Sequence, residues 1–215
     1  QVFQPYPSIA RSIFSDRQGR YTPMGNAIAF ISERSGTAQL WLSQDDQLRQ
    51  LTQFETDTQI TGLAWSASGD TIMIAANGGL FTVTIDAKVS PLVTELAVTQ
   101  LFQWHGNDLL LKVDIAGDSK LISYDMLEGT IQELFNGDVK WAAGTPTEKL
   151  IYLDTLNNYW QMSPSGSVVI SKLAGKSNTN RFILKNDNLY NINNDGQLWL
   201  YNTAKDQFQI IQNLH

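Results

Sequence analysis

The sequence holds two imidazoles, His105 and His215, and no thiol. The absence of Cys excludes disulfides, thiolate metal ligation and thiol nucleophiles. An acyl-transfer triad needs a nucleophile, an imidazole and an acid converging in space. His215 is the last residue, where chain ends fray. His105 follows Trp104 at the start of a turn, so it reads as a turn histidine rather than a base. There is no Gly-x-Ser-x-Gly nucleophile elbow, and no glycine-rich loop precedes a helix to cradle phosphate. Carboxylates are plentiful: Asp45, Asp46, Glu55, Asp57, Asp114, Asp118, Asp154, Asp187 and Asp195. They sit in turn-forming stretches, where Asp is favoured for its own hydrogen bonding to the backbone. Asn193-Asn194-Asp195-Gly196 resembles a calcium loop superficially but lacks the further acidic ligands. The expectation is no catalytic residue, no cofactor and no metal site.

Charge narrows the partners. The formal net charge is -6, which repels a polyanion, so nucleic acid is not expected as a direct partner of this chain. The basic residues Arg11, Arg17, Arg20 and Arg34 are scattered and read as solvated loop charge. Charged residues make up 17% of the chain and aromatics 10%, a balance that suits half-buried strands and polar loops rather than disorder. No stretch approaches the roughly 20 apolar residues needed to span a bilayer. The chain opens on Gln1-Val2-Phe3 without Met or signal peptide, so any membrane anchor is expected upstream, in a longer protein.

The elements that must position these residues are set by a repeat. Trp65, Trp104 and Trp141 are spaced by 39 and 37 residues, and a second series, Trp41, Phe81, Ile122, Trp160 and Trp199, by 40, 41, 38 and 39. A period of about 40 is that of a four-stranded propeller blade. In the second unit, Gly62–Ser66 reads as strand A, Thr71–Ala76 as strand B, Leu80–Ile85 as strand C and Pro91–Leu96 as strand D. Asn77-Gly78-Gly79 is a hairpin signal between B and C. Pro91 suits an outer strand, where its missing N–H faces solvent.

Other units repeat this order. Strand C of each carries one member of the second aromatic series, which reads as packing between blades rather than a ligand-stacking surface. Tyr159 and Tyr201 beside them are expected on the opposite strand face. No helical stripe of adequate length is found. The expected fold is therefore all-β, a β-propeller of about five four-stranded blades, because each twisted sheet must stack on neighbours to bury both faces. The blades are expected at 19–59, 60–97, 98–136, 137–177 and 178–215. Residues 1–18 form a leading segment whose stretch Ile9–Ser15 resembles a lone strand D. It belongs either to a sixth, partial blade or to a strand packed on the last one.

Unit one carries a family resemblance. Gly19-Arg20-Tyr21-Thr22-Pro23-Met24-Gly25-Asn26-Ala27-Ile28-Ala29-Phe30-Ile31-Ser32-Glu33-Arg34-Ser35-Gly36 resembles the TolB-type propeller repeat, as do Gln39-Leu40-Trp41-Leu42 and Arg49-Gln50-Leu51-Thr52 after it. Unit two keeps Ala64-Trp65-Ser66-Ala67-Ser68-Gly69-Asp70, close to that repeat's turn. In units three to five, Trp104-His105-Gly106-Asn107-Asp108 and Trp141-Ala142-Ala143-Gly144 keep the aromatic alone. The resemblance implies one of three settings. The favoured one is the extracytoplasmic, C-terminal sensor region of a bacterial membrane-anchored winged-helix regulator, similar to the CadC/ToxR group. The others are a TolB-like envelope scaffold and the regulatory propeller of a prolyl-oligopeptidase-like peptidase. In the favoured setting the domain is periplasmic and touches the membrane only through an upstream anchor.

Propeller function is carried by loops on a rigid frame. Loops joining B to C and D to the next A share one end. The candidate contact residues are therefore Glu33, Arg34, Asn77, Asp114, Asp118 and Asn157 in B–C loops, with Glu55, Asp57, Asp138 and Asn178 in D–A loops. The Gln53–Gln59 stretch is the first candidate. Such polar loops suit a protein partner or a small polar ligand.

Overall fold

A computed structural model describes residues 16–163, 170–193 and 195–213, and every described element is a strand or turn. The chain is an all-β propeller of five four-stranded antiparallel blades. The first blade is β1 (Asp16–Tyr21), β2 (Ala27–Ser32), β3 (Gln39–Gln44) and β4 (Gln47–Gln50). The second is β5 (Ile60–Trp65), β6 (Thr71–Ala76), β7 (Gly79–Thr84) and β8 (Val89–Leu92). The third is β9 (Ala97–His105), β10 (Asp108–Ile115), β11 (Asp118–Asp125) and β12 (Thr130–Asn136). The fourth comprises β13 (Val139–Gly144), β14 (Leu150–Asp154), β15 (Asn158–Met162) and β16 (Ile170–Lys185). The fifth shares β16 and adds β17 (Asn188–Asn193), β18 (Gln197–Asn202) and β19 (Gln207–Asn213). The chain divides into two compact units after Glu133.

Cross-strand register explains the second aromatic series. Trp41 pairs with Phe30, Phe81 with Ile74, Ile122 with Leu111, Trp160 with Tyr152 and Trp199 with Asn191. Every member thus occupies the same site on strand C, opposite the same site on strand B. The first series is different. Trp65 and Trp104 lie opposite Ile72 and Leu109, the same place in each blade, but Trp141 lies opposite Leu153, the place Gly62 takes opposite Ala75. Its spacing of 37 residues from Trp104 conceals this slip.

In the first unit the blades bury their faces against each other. Ala29, Ile31, Leu40 and Leu42 of blade one meet Ile72, Ile74 and Val83 of blade two. The other face of blade two, Met73, Ala75 and Leu80, meets Leu109, Leu111, Val113 and Ile122 of blade three. Strand B therefore reads as an unbroken apolar run instead of an alternating one. Each fully buried Ile or Leu contributes about 1.5–3 kcal/mol of hydrophobic stabilisation. Strands β5 and β9 approach so closely that a Cβ on Gly62 would overlap the backbone of Leu101, which is why this position of strand A lacks a side chain. In the second unit Ile151, Leu153 and Tyr159 meet Leu189, Trp199 and Tyr201. Tyr201 thus shares the face of Trp199, since two residues along a strand return to one side, while Tyr159 lies on the face opposite Trp160's partner Tyr152.

Three expectations are corrected by strand placement. Gly175–Asn180, read as a D–A loop, lies inside the continuous β16, so Asn178 is a strand residue. β16 changes partner from β15 at Lys176 to β17 at Ser177, with a bulge taking up the turn. Asp114 and Asp118 are also strand residues, because the turn between them needs only Ala116 (φ 56°) and Gly117 (φ 88°). Strand D of the second blade starts at Val89 and ends at Leu92, short of Leu96. β1 begins at Asp16, inside the leading segment assigned to 1–18, whereas Ile9–Ser15 lies outside the described residues.

Candidate functional site

The B–C and D–A loops leave one end of each blade because strands A to D run alternately up and down. In the first unit this end is built around the loop at residues 51–59. Gln39, buried at the start of β3, holds that loop from beneath. Its Oε1 accepts from Thr52 Oγ1 at 2.6 Å and from Phe54 N at 2.9 Å, while its Nε2 donates to Phe54 O at 2.9 Å and Thr37 Oγ1 at 2.7 Å. Thr52 Oγ1 in turn accepts from Leu40 N at 2.9 Å. Phe54 packs edge-on against Phe81, centroids 5.5 Å apart. With its apolar residues turned inward, the loop leaves Glu55 and Asp57 exposed, and Thr58 N closes the tip on Glu55 O at 3.0 Å.

Neighbouring loops are tied to the same end. Asn77 (φ 48°) and Gly78 (φ 81°) form the two-residue hairpin turn that positive φ at both positions requires. Asn77 Oδ1 accepts from Gln59 N at 2.8 Å, Asn77 N donates to Gln59 O at 3.1 Å, and Val98 N donates to Gly78 O at 2.9 Å. Glu33 is exposed. Arg34 donates from Nε to Ser32 Oγ at 2.9 Å, and its guanidinium lies 5.1 Å from the ring centres of both Phe30 and Trp41. Trp41 is thereby half-buried rather than wholly core. Asp114 and Asp118 are exposed beside their turn, where Asp114 Oδ1 accepts from Gly117 N at 2.9 Å. Glu33, Glu55 and Asp57 in the loops, with Asp114 and Asp118 at the strand ends beside their turn, give this end of the unit five exposed carboxylates near Arg34. A groove of about 420 Å³ lies beside the loop, between the outer strands of blades one and two, lined by Gln50, Leu51, Gln53, Phe54, Ala87 and Val89.

In the second unit Asp138 is exposed between β12 and β13. Asn157 (φ 65°) accepts at Oδ1 from Lys140 Nζ at 2.6 Å. Asp154 closes that B–C turn. Burial alone would raise its pKa, but bonds from Asn158 N, Trp160 Nε1, Asn158 Nδ2 and Leu156 N hold it below the usual carboxylate range.

Sequence reasoning missed the third copy of one turn and a whole side-chain cluster. The A–B turn recurs at Thr22–Asn26, Ser66–Asp70 and Thr145–Lys149. In each, the backbone N–H of the Thr or Ser bonds across the turn, to Ala27 O, Thr71 O or Lys149 O, and its own C=O accepts from Gly25, Gly69 or Glu148. The last of these turns hides the pattern by placing Glu148 (φ 59°) where the others place Gly; Thr145-Pro146 echoing Thr22-Pro23 was the available signal. The second is a cluster on the opposite end of the second unit. Asp206 Oδ1 accepts from Gln161 Nε2 at 2.6 Å, Tyr201 Oη at 2.8 Å and Lys149 Nζ at 3.0 Å. The Gln161 amide first, then the Lys149 and Tyr201 bonds, hold Asp206 below the usual range against partial burial, and burial and the Asp206 carboxylate push the Tyr201 phenol up. His105 ends β9 at an exposed turn. No group of three metal-ligating side chains occurs among the described residues.

No protein-family model matches the chain, and no curated protein matches it in sequence. Solved structures match its fold. A chain of a nidogen/laminin complex is 11% identical with a TM-score of 0.69, over 93% of this chain and 80% of that one. TolB from Acinetobacter baumannii is 13% identical with a TM-score of 0.70, over 91% of this chain and 53% of that one. Prolyl oligopeptidase B from Galerina marginata is 13% identical with a TM-score of 0.66, over 93% of this chain and 34% of that one. The chain thus spans about half of TolB and a third of the peptidase. At such identities the likeness establishes the propeller fold, one that binding proteins and enzymes both use.

Proposed function

We propose that the chain is a non-catalytic scaffold propeller, in the manner of TolB, which binds a protein partner through the acidic B–C and D–A loops of its first unit. The observation that carries this is the loop at 51–59: clamped by Gln39 beneath, it presents Glu55 and Asp57 to solvent on a fixed frame. A rigid acidic rim selects a basic or donor-rich surface, gaining association rate and orientation more than raw affinity. Glu33, Asp114 and Asp118 extend the rim and Arg34 marks its register; Asp138 and Asn157 are the corresponding positions of the second unit. An envelope location, and a role as the sensor of a membrane-tethered regulator, are finer parts of the reading and rest on the repeat resemblance of blades one and two.

A photo-crosslinker at Thr56, exposed between Glu55 and Asp57, and another at Asp45, on the opposite end of blade one, test the contact in an envelope extract. One discrete adduct from position 56, absent from position 45 and lost when E55K/D57K is added to the position-56 variant, is the expected result. Equal labelling from both ends, or an adduct insensitive to charge reversal, contradicts the reading.

A further inference from the structure

The chain contains two Asn-Gly pairs, Asn77-Gly78 and Asn136-Gly137, and they are held in opposite ways. We infer that Asn136 is a site of spontaneous covalent modification, conversion to aspartate and isoaspartate, and that Asn77 is protected from it. The reaction needs the backbone nitrogen of the following residue to reach the Asn Cγ. A glycine offers the least hindrance to that approach. At residue 77 the approach is blocked: Oδ1 accepts from Gln59 N and the backbone N–H donates to Gln59 O. Gly78 O is held by Val98 N. Turning the Asn77 carboxamide onto Gly78 must break these bonds and open a hairpin fixed between two strands.

Residue 136 is held less closely. Asn136 is exposed and is the last residue of the outer strand β12, and Gly137 lies outside the strand. The glycine is dictated by the fold: its φ is 149°, and an added Cβ would stand 2.8 Å from the Phe135 ring. The reactive dipeptide is therefore kept by packing at its second member, while its first is free to react.

The step balances with water as the other reactant. Gly137 N loses its proton to hydroxide and attacks Asn136 Cγ. The N–Cγ bond forms, the Cγ–Nδ2 bond breaks, and ammonia leaves after taking a proton from water. Water then adds to either carbonyl of the five-membered imide, giving aspartate or isoaspartate, with no change of oxidation state. Either product places a second carboxylate two residues from Asp138, and isoaspartate also inserts a methylene into the connection between β12 and β13. The inference is independent of the proposed partner contact.

The folded chain is incubated in mildly alkaline buffer and sampled over time by tryptic mass mapping, with an isoaspartyl methyltransferase as a second probe. The two sites fall in separate peptides, 121–140 and 50–88. A gain of one mass unit with methyl-accepting capacity should accumulate in the first and be at least about tenfold slower in the second, given the hydrogen bonds that must open there. N136Q should abolish the methyl acceptance of peptide 121–140. Equal or faster conversion at Asn77, or no conversion at Asn136, overturns the inference. So does methyl acceptance that persists in peptide 121–140 of N136Q.

Discussion

Replacing Gly62 by Ala adds one methyl group at the closest approach of two strands in the first unit. The added Cβ would overlap the carbonyl oxygen of Leu101 and stand 2.9 Å from its nitrogen and 3.0 Å from its carbonyl carbon. All three atoms are backbone, so no rotamer change relieves the overlap; β5 and β9 must part. Overpacking of a tight core costs about 1–3 kcal/mol, and a backbone neighbour places this substitution at the upper end. About 3 kcal/mol lowers the melting temperature of a chain this size by about 6–12 °C. Gly79→Ala is the internal control. Its Cβ would meet nothing nearer than 3.7 Å and its φ is not positive, so its melting temperature should equal or slightly exceed that of the parent. Thermal unfolding followed by far-UV circular dichroism reads both. Equal melting temperatures for Gly62→Ala and Gly79→Ala would refute the close approach of the inner strands.

Gln39→Ala removes the clamp beneath residues 51–59 and leaves Phe54 N and Thr52 Oγ1 short of a partner; a loss of about 2–3 kcal/mol should appear in urea unfolding, with limited proteolysis now cutting between 53 and 59. Uncut loops at parental stability would deny the clamp. Asp206 has a folded pKa depressed below its unfolded value, chiefly by the Gln161 amide. Its contribution to stability is therefore complete above the unfolded pKa, near about 3.9, and is lost as pH falls through the folded value. Melting temperature against pH should show a shallower acid limb for Asp206→Asn than for the parent, whereas parallel limbs would deny the coupling.

Much of the fold was legible because strand C repeats at one register. A residue packed between two blades must be large and apolar in each of them, and that requirement left Trp41, Phe81, Ile122, Trp160 and Trp199 in the sequence. Trp141 misled because spacing alone cannot see a bulge or a slipped register; its alignment needed the pairing with Leu153. The join at β16 was hidden for a related reason. Gly, Lys, Ser and Asn in succession suit a loop, yet nothing in Gly175–Asn180 forbids extended backbone, and a bulge can pass one strand from sheet to sheet. The tight turn at Ala116-Gly117 escaped notice because Ala rarely adopts positive φ, so the flanking Asp114 and Asp118 were taken for loop residues. At the candidate face Glu33, Glu55 and Asp57 were readable as exposed loop acids. The Gln39 clamp was not, since a buried Gln in a strand has no spacing that announces its partners thirteen and fifteen residues away.

The account rests on blades whose middle strands recur in register, and amide hydrogen exchange on the native chain reads this residue by residue. The slowest amides should fall in strands B and C of the blades, at 72–76 with 79–84, 109–113 with 119–124, and 150–154 with 158–162, with the outer strands β4 and β8 exchanging sooner. Slow exchange running unbroken through the turns at 77–78 and 116–117, as a helix would give, would contradict it.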